Sequence, residues 1–98
     1  MAAHAEVTAP REQIFAIWSR ISPRRLTRRQ TEAFFGHPAM PSLTRSLRLI
    51  GAAELERSAR DLAAKEPFTL ELWAWVARRR VSEVRRRSIH RRARPVAR

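Results

Sequence analysis

Cysteine is absent from this chain of 98 residues. Without thiols it can form no disulfide, no thiolate nucleophile and none of the usual structural zinc sites. Glycine is scarce, with two residues, and the apolar residues recur at helical rather than alternating spacing. No apolar run approaches the roughly 18 residues that a membrane-spanning helix needs. These absences exclude a disulfide scaffold and predict a single all-α domain with no membrane partner.

Groups typical of enzymes are also missing. There is no glycine-rich phosphate loop, and the three histidines are isolated from one another and from carboxylates at ligand spacing. We therefore expect no metal site, no cofactor and no enzymatic activity. Glu54 and Asp61 lie near Arg57 and Arg60, so solvated ion pairs are expected there rather than a general acid and base.

Positive charge is abundant and sits mainly at one end. Residues 1–77 hold 11 basic and 8 acidic side chains, whereas residues 78–98 hold 10 arginines against Glu83 alone. Most of the net charge of +12 therefore belongs to the C-terminal fifth of the chain. A one-ended positive field attracts polyanions and raises association rates. The first ten residues contain no basic side chain and no apolar stretch of the signal-peptide type, so a soluble cytoplasmic protein is expected.

Two short helices are predicted first. Thr8 can cap the first helix, and Ser22, which precedes a proline, ends it. Thr27 and Gln30 form a capping-box pair at the start of the second helix. Gly36 follows the second helix where a left-handed C-terminal cap is expected. The apolar face of the first helix consists of Ile14, Phe15, Ile17, Trp18 and Ile21.

A longer third helix follows, with Ser42 as its predicted cap. Gly51 leaves two alternatives: one long, bent helix that continues to Lys65, or a break into two helices. A glycine inside a helix costs only about 1 kcal/mol relative to alanine, and the apolar positions keep their phase through it. We therefore favour the continuous helix. Those apolar positions are 43, 47, 50, 55, 59 and 62.

Thr69 caps the predicted fourth helix, whose first two turns are apolar nearly all round. Leu72, Trp75 and Val76 lie off the main apolar stripe, so we expect other helices to enclose these turns. Trp73 and Trp75 point about 200° apart on a helix and cannot form one stacking platform. Core positions are expected for both, with Trp75 the better candidate for a partner contact. The main stripe consists of Leu70, Trp73, Ala74, Ala77, Val81, Val84 and Ser88.

The fold class that results is a small four-helix domain with a C-terminal arginine-rich helical extension. Residues 1–8 form a flexible tail, residues 9–77 the helical core domain, and residues 78–98 the extension, which we call the arginine arm.

Two arginine triplets, residues 78–80 and 85–87, lie seven positions apart in the arm and so stack on the same sides of a helix. Arginine presents planar, permanently charged forks that suit phosphate oxygens. The arm resembles the arginine-rich helical motif of RNA-binding peptides and of the basic arms of DNA-binding proteins, which implies nucleic-acid binding. The candidate contacts are Arg78, Arg79, Arg80, Arg85, Arg86, Arg87, Arg91, Arg92 and Arg94.

A second basic cluster lies where the first two helices meet. Its five members have no acidic residue between them in the chain. They would repel one another unless an anion such as a phosphate backbone lies there; a solvated loop screened by salt is the equal alternative. The cluster consists of Arg20, Arg24, Arg25, Arg28 and Arg29, of which the last four are candidate contacts.

The segment from Leu26-Thr27 through Phe34-Phe35-Gly36 to residues 42–48 resembles the helix-turn-helix of excisionase-type DNA-binding proteins. The resemblance implies that an arginine-bearing recognition helix enters the major groove. The side chains that would face the bases are Ser42, Thr44, Arg45 and Arg48.

The sequence thus favours a small basic protein that binds DNA or RNA, of the kind that regulates a bacterial or phage genome. The alternative is a non-enzymatic interaction protein, a small subunit or inhibitor that docks its basic arm on an acidic protein or a ribonucleoprotein complex. The oligomeric state stays open.

Overall fold

The computed structural model describes residues 9–22 and 24–93, with side chains as far as residue 89. This part of the chain contains four helices and no strand. The predicted all-α class is confirmed. The predicted tail, residues 1–8, lies outside the described residues. The helices are α1 (Pro10–Ile21), α2 (Arg28–Phe35), α3 (Met40–Ala63) and α4 (Leu70–Ala93).

The ends of α1 follow from its two flanking prolines. Pro10 opens the helix, where the missing N–H has no partner to lose, and the N-cap is Ala9, which makes no side-chain bond. Thr8, the predicted cap, lies outside the described residues. The helix ends because Ser22 takes an extended backbone (φ −81°, ψ 125°), as expected of a residue before proline.

The predicted capping box at the start of α2 is confirmed. Thr27 Oγ1 accepts a hydrogen bond from the Gln30 N–H at 3.1 Å, and Gln30 Oε1 accepts one from the Thr27 N–H at 2.9 Å. The left-handed cap predicted for Gly36 is wrong, because its φ is −97° and its ψ is 9°. The Gly36 N–H still donates a helical hydrogen bond to the carbonyl of Glu32 at 3.1 Å. The helix therefore ends without a left-handed residue.

The start of α3 differs from its prediction. The N-cap is Ala39, with no side-chain bond, and the helix begins at Met40, so Ser42 lies inside the first turn and is not the cap. His37 takes over part of the capping role, because its carbonyl accepts from the Met40 N–H at 2.9 Å and its Nδ1 from the Ala39 N–H at 3.0 Å. Pro41 fits this first turn, where its lack of an N–H is tolerated.

The prediction of one continuous third helix is wrong, because α3 breaks at Gly51. The backbone there has φ 87° and ψ 164°, a region that is essentially restricted to glycine. Residues 40–50 and 52–63 are therefore two helical halves joined by one non-helical residue. Each half can direct its apolar face at a different part of the molecule.

The core forms around α3, which packs on α4 and on α1. Leu43 from the first half and Leu55 from the second are both fully buried, as is Trp73 of α4. The indole Nε1 of Trp73 donates a hydrogen bond to the Leu55 carbonyl at 3.3 Å. An aromatic cluster extends this core, with Trp18 of α1 stacked on Phe68 at a centroid distance of 4.7 Å. The halves of α3 are thus fixed by the same partner helix.

On α4, the predicted apolar stripe is confirmed from Leu70 to Val81, both buried, and Thr69 caps the helix through a bond from the Leu72 N–H at 3.1 Å. The expected enclosure of the first two turns is wrong. Leu72 is 37% exposed and Trp75 is 49% exposed. One face of α4 packs on α3, and the opposite face carries these two side chains to solvent.

We predict different effects of alanine at the two glycines. Gly51→Ala should lower the free energy of unfolding by about 1–3 kcal/mol, because the left-handed backbone is strained for any L side chain, although an added Cβ meets nothing within 4 Å. Gly36→Ala should be neutral or stabilise by about 0.4–1 kcal/mol, since its φ is negative and its Cβ would only contact the Glu32 carbonyl at 3.7 Å. Urea titration measures both, and equal effects would contradict the break at Gly51.

Candidate nucleic-acid interface

The arginine triplets of α4 are distributed over three sides of the helix. Successive residues are turned by about 100°, so corresponding members of triplets seven residues apart share a side. The first members are Arg78 and Arg85, the second Arg79 and Arg86, and the third Arg80 and Arg87. The two halves of α3 contact different sides of α4. These contacts determine which arginines form ion pairs and which remain exposed.

The first side faces the N-terminal half of α3 across a groove of about 480 Å³, which we call the α3–α4 groove. Arg78 Nη1 bridges its edge by donating a hydrogen bond to Ser42 Oγ at 3.1 Å. No acidic side chain lines this groove in the described part of the chain. Its lining is Pro41, Ser42, Arg45, Ser46 and Leu49 from α3 and Arg78, Val81, Ser82 and Arg85 from α4.

The α3–α4 groove combines charge with apolar surface. Arg45 and Arg85 are exposed, and among the described residues neither forms an ion pair. Val81, which is buried, and Leu49, which is 46% exposed, add apolar surface to the lining. Guanidinium groups without carboxylate partners attract anions.

At Arg80, the third side of α4 faces the C-terminal half of α3, and the charge of Arg80 is neutralised there. Arg80 Nη2 lies 3.1 Å from Asp61 Oδ2, and Arg80 Nη1 lies 3.7 Å from Glu54 Oε1. That Glu54 oxygen is buried and has no hydrogen-bond partner in the described structure, so the nearby guanidinium is its main electrostatic compensation. Arg80, with 22% of its side chain exposed, serves the fold. Glu54 also lies 4.0 Å from Arg57, as the sequence suggested.

The second side of α4 points away from α3. The guanidinium carbon of Arg79 lies 4.9 Å from the ring centroid of Trp75, a cation–π arrangement. Arg86 lies one heptad further along the same side, and its side chain is exposed. Positive charge and an aromatic ring therefore occur together on the outer surface of the helix.

The C-terminal part of the arginine arm, from residue 85 onward, which we call the distal arm, is exposed wherever its side chains are described. Arg85, Arg86 and Arg87 are all exposed, and Ile89 is 64% exposed. The helix includes Arg91 and Arg92, but their side chains lie outside the described residues, as does the whole of Arg94.

The second basic cluster is less repulsive than predicted, because a distant carboxylate enters it. Arg20 donates to Glu56 through Nη2 at 2.6 Å and through Nε at 3.3 Å. Arg60 donates to the same carboxylate at 2.7 Å. The hydrogen bond from Arg20, and then the one from Arg60, lowers the pKa of Glu56 below its ordinary value, while the bond to Glu56 raises the pKa of Arg20.

The other four members of that cluster, which are its candidate contacts, are all exposed, and none forms an ion pair within residues 9–89. No described groove joins them to the α3–α4 groove. They are Arg24, Arg25, Arg28 and Arg29.

The side chains singled out by the helix-turn-helix resemblance do not share one surface. Ser42 and Arg45 line the α3–α4 groove. Thr44 lies on another side of the helix, beside Gly36, and its Oγ1 donates to the Pro41 carbonyl at 2.9 Å. Arg48 is exposed. The structure thus brings Arg45 to the arginines of the arm, which the sequence reading kept apart.

Sequence reasoning did not single out four lining residues of this groove, namely Pro41, Ser46, Leu49 and Ser82. Ser82 lies four residues after Arg78 and three before Arg85, so helical spacing alone could have placed it beside them. Leu49 lies four residues after Arg45, so the same spacing places it beside that arginine; only the meeting with α4 could not be read from the sequence.

Comparison with protein-family models, curated proteins and solved structures gave no match for this chain. Within the described residues, no helix has the length and apolar character that crossing a bilayer requires. The same residues contain no group of three or more side chains that could hold a metal ion.

We predict a pH-dependent contribution of Glu56 to stability. Because its folded pKa lies below the ordinary value of 4.5, its stabilisation is present above pH 4.5 and is lost as the pH falls through the lowered pKa. Glu56→Gln should therefore lower Tm by a few degrees at neutral pH, and the difference from the unaltered chain should shrink toward pH 3.

Thermal unfolding followed by circular dichroism at a series of pH values measures this. Glu66→Gln is the control, since Glu66 is exposed and forms no ion pair in the described structure. A Tm difference for Glu56→Gln that stays constant down to pH 3 would show that the carboxylate charge is not responsible.

Proposed function

We propose that this protein binds nucleic acid through the phosphate backbone, with the α3–α4 groove as the principal contact. The observation that carries the proposal is the convergence of Arg45 from α3 with Arg78 and Arg85 from α4 around a groove that no described acidic side chain lines. The arginines come from segments more than 30 residues apart, so their meeting does not follow from one arginine-rich run.

The chemistry of the groove suits phosphodiesters. Each guanidinium can give two parallel N–H bonds to phosphate oxygens. The hydroxyls of Ser42 and Ser82 add neutral donors between the charges. These groups would hydrogen-bond to phosphate and sugar oxygens. Such contacts fix the position of a strand but do not distinguish its base sequence.

The distribution of charge on α4 also favours the α3–α4 groove as the binding face. Arg80 is compensated by Glu54 and Asp61 on the side opposite the groove, so the attractive field is directed toward the groove and the outer surface. Exposed arginines of the distal arm extend that field along the helix axis. We propose a binding protein of the cytoplasm with no catalysis of its own.

Docking on an acidic protein is the alternative, and the salt dependence of binding separates the two. Release of counterions from a nucleic acid gives a linear fall of log K with log salt, with a slope of about −4 to −8 for some 5–9 neutralised phosphates. A shallow slope with every nucleic acid, together with tight binding to an acidic protein, would overturn the proposal.

We predict that Arg45→Gln with Arg85→Gln lowers affinity roughly 10–100-fold at low salt and reduces the magnitude of the slope by about 2, because two phosphate contacts are lost. The matched control is Arg11→Gln with Lys65→Gln, which removes the same charge from exposed positions that lie outside the groove and form no ion pair in the described structure. Fluorescence anisotropy with labelled RNA and DNA measures both. Equal losses in the two double variants would mean that only net charge matters and that the groove is not the site.

A further inference from the structure

Trp75 is the large aromatic side chain that the core does not use. Trp73, two residues earlier, is fully buried and hydrogen-bonded, whereas 49% of Trp75 is exposed. Leu72, one turn before Trp75, is 37% exposed. The exposed part of the indole is apolar area that a bound partner would bury with a gain in hydrophobic free energy.

The surroundings of Trp75 are positively charged. The guanidinium of Arg79 lies over the ring at 4.9 Å, and Arg78 lies three residues away on the adjacent helix surface. One acidic neighbour, Glu71, lies four residues before Trp75 and pairs with His37 Nε2 at 3.2 Å. The ligand that covers this ring must therefore tolerate, or require, cationic groups beside it.

Helical spacing places Trp75 next to the α4 edge of the α3–α4 groove. Arg78 lines the groove and is also one helical turn from Trp75. Ser82, another lining residue, lies two helical turns from Trp75 on nearly the same side of α4. A strand whose phosphates lie in the groove can thus pass Arg78 and reach the indole.

We propose that Trp75 stacks on an unpaired nucleobase, so that the protein prefers single-stranded to duplex nucleic acid. This rests on the proposed function. A nucleotide supplies both an aromatic plane for the indole and a phosphate for Arg79 or Arg78, which matches the ring and the charges together. A base inside a duplex is stacked on both faces and is not accessible to a side chain on a helix surface, whereas an unpaired base can be splayed onto it.

Three oligonucleotides test the preference: an oligothymidylate of about ten nucleotides, within the usual site size of single-strand binders, an abasic strand of equal length, and a duplex of equal length. Trp75→Ala should weaken oligothymidylate binding on the order of tenfold and leave the abasic strand and the duplex nearly unchanged. Trp75→Phe should retain part of the affinity. Leu72→Ala is the control, because it removes exposed apolar surface but no aromatic plane.

Tryptophan emission gives an independent measure of the contact. Oligothymidylate should quench the fluorescence of the full chain, and Trp75→Phe should abolish most of that quenching, since Trp73 is buried and Trp18 is largely covered. Circular dichroism verifies that each variant is folded.

The outcomes separate the two proposals. Unchanged oligothymidylate affinity and quenching in the Trp75 variants, while the Arg45 and Arg85 double variant still loses affinity, would overturn the stacking inference alone. Failure of the unaltered protein to bind any of the three oligonucleotides would overturn the proposed function and the inference with it. If Trp75→Ala instead abolished binding to an acidic protein and changed no oligonucleotide, the ring would serve a protein interface.

Discussion

The backbone conformation of Gly51 determines how charge is arranged on this molecule. A φ of 87° with a ψ of 164° ends one helical half of α3 and starts the next at a new direction. Leu43 and Leu55 can then both be buried in one core with Trp73 of α4. A straight helix of 24 residues would be about 36 Å long and would run past α4 in one direction, whereas the break gives the two halves of α3 different directions.

The two halves of α3 place different side chains next to the arginines of α4. The C-terminal half supplies Glu54 and Asp61, which neutralise Arg80. The N-terminal half supplies Ser42 and an additional arginine, so the charge there increases. A run of arginines that looks uniform in the sequence is thereby divided into a structural side, a side that faces the α3–α4 groove and an outer side beside an aromatic ring. The proposed nucleic-acid contact depends on this division.

Local signals in the sequence predicted part of the local structure, although the left-handed cap at Gly36 and the cap at Ser42 were wrong. The Thr27 capping box, the Thr69 cap and the buried stripe of α4 all follow from residues within one or two turns of each other. Contacts between distant residues were not predictable in this way: the Arg20–Glu56 bond joins positions 36 apart. The break at Gly51 was missed because the apolar residues on both sides of it follow helical spacing, which is the pattern expected of a continuous helix and of two separate ones. Trp75 was misjudged because an apolar residue does not reveal whether another helix covers it.

The most direct measurement of the central claim is a nitrogen-15 NMR titration of the full chain with a short single-stranded oligonucleotide. Backbone amides and arginine Nε–H groups report each residue separately. The account predicts shift changes centred on Arg45, Leu49 and Arg85, with the signals of Arg80 and Asp61 nearly unmoved. Shift changes confined to the junction of α1 and α2, or spread evenly over groove and ion-paired side alike, would contradict it.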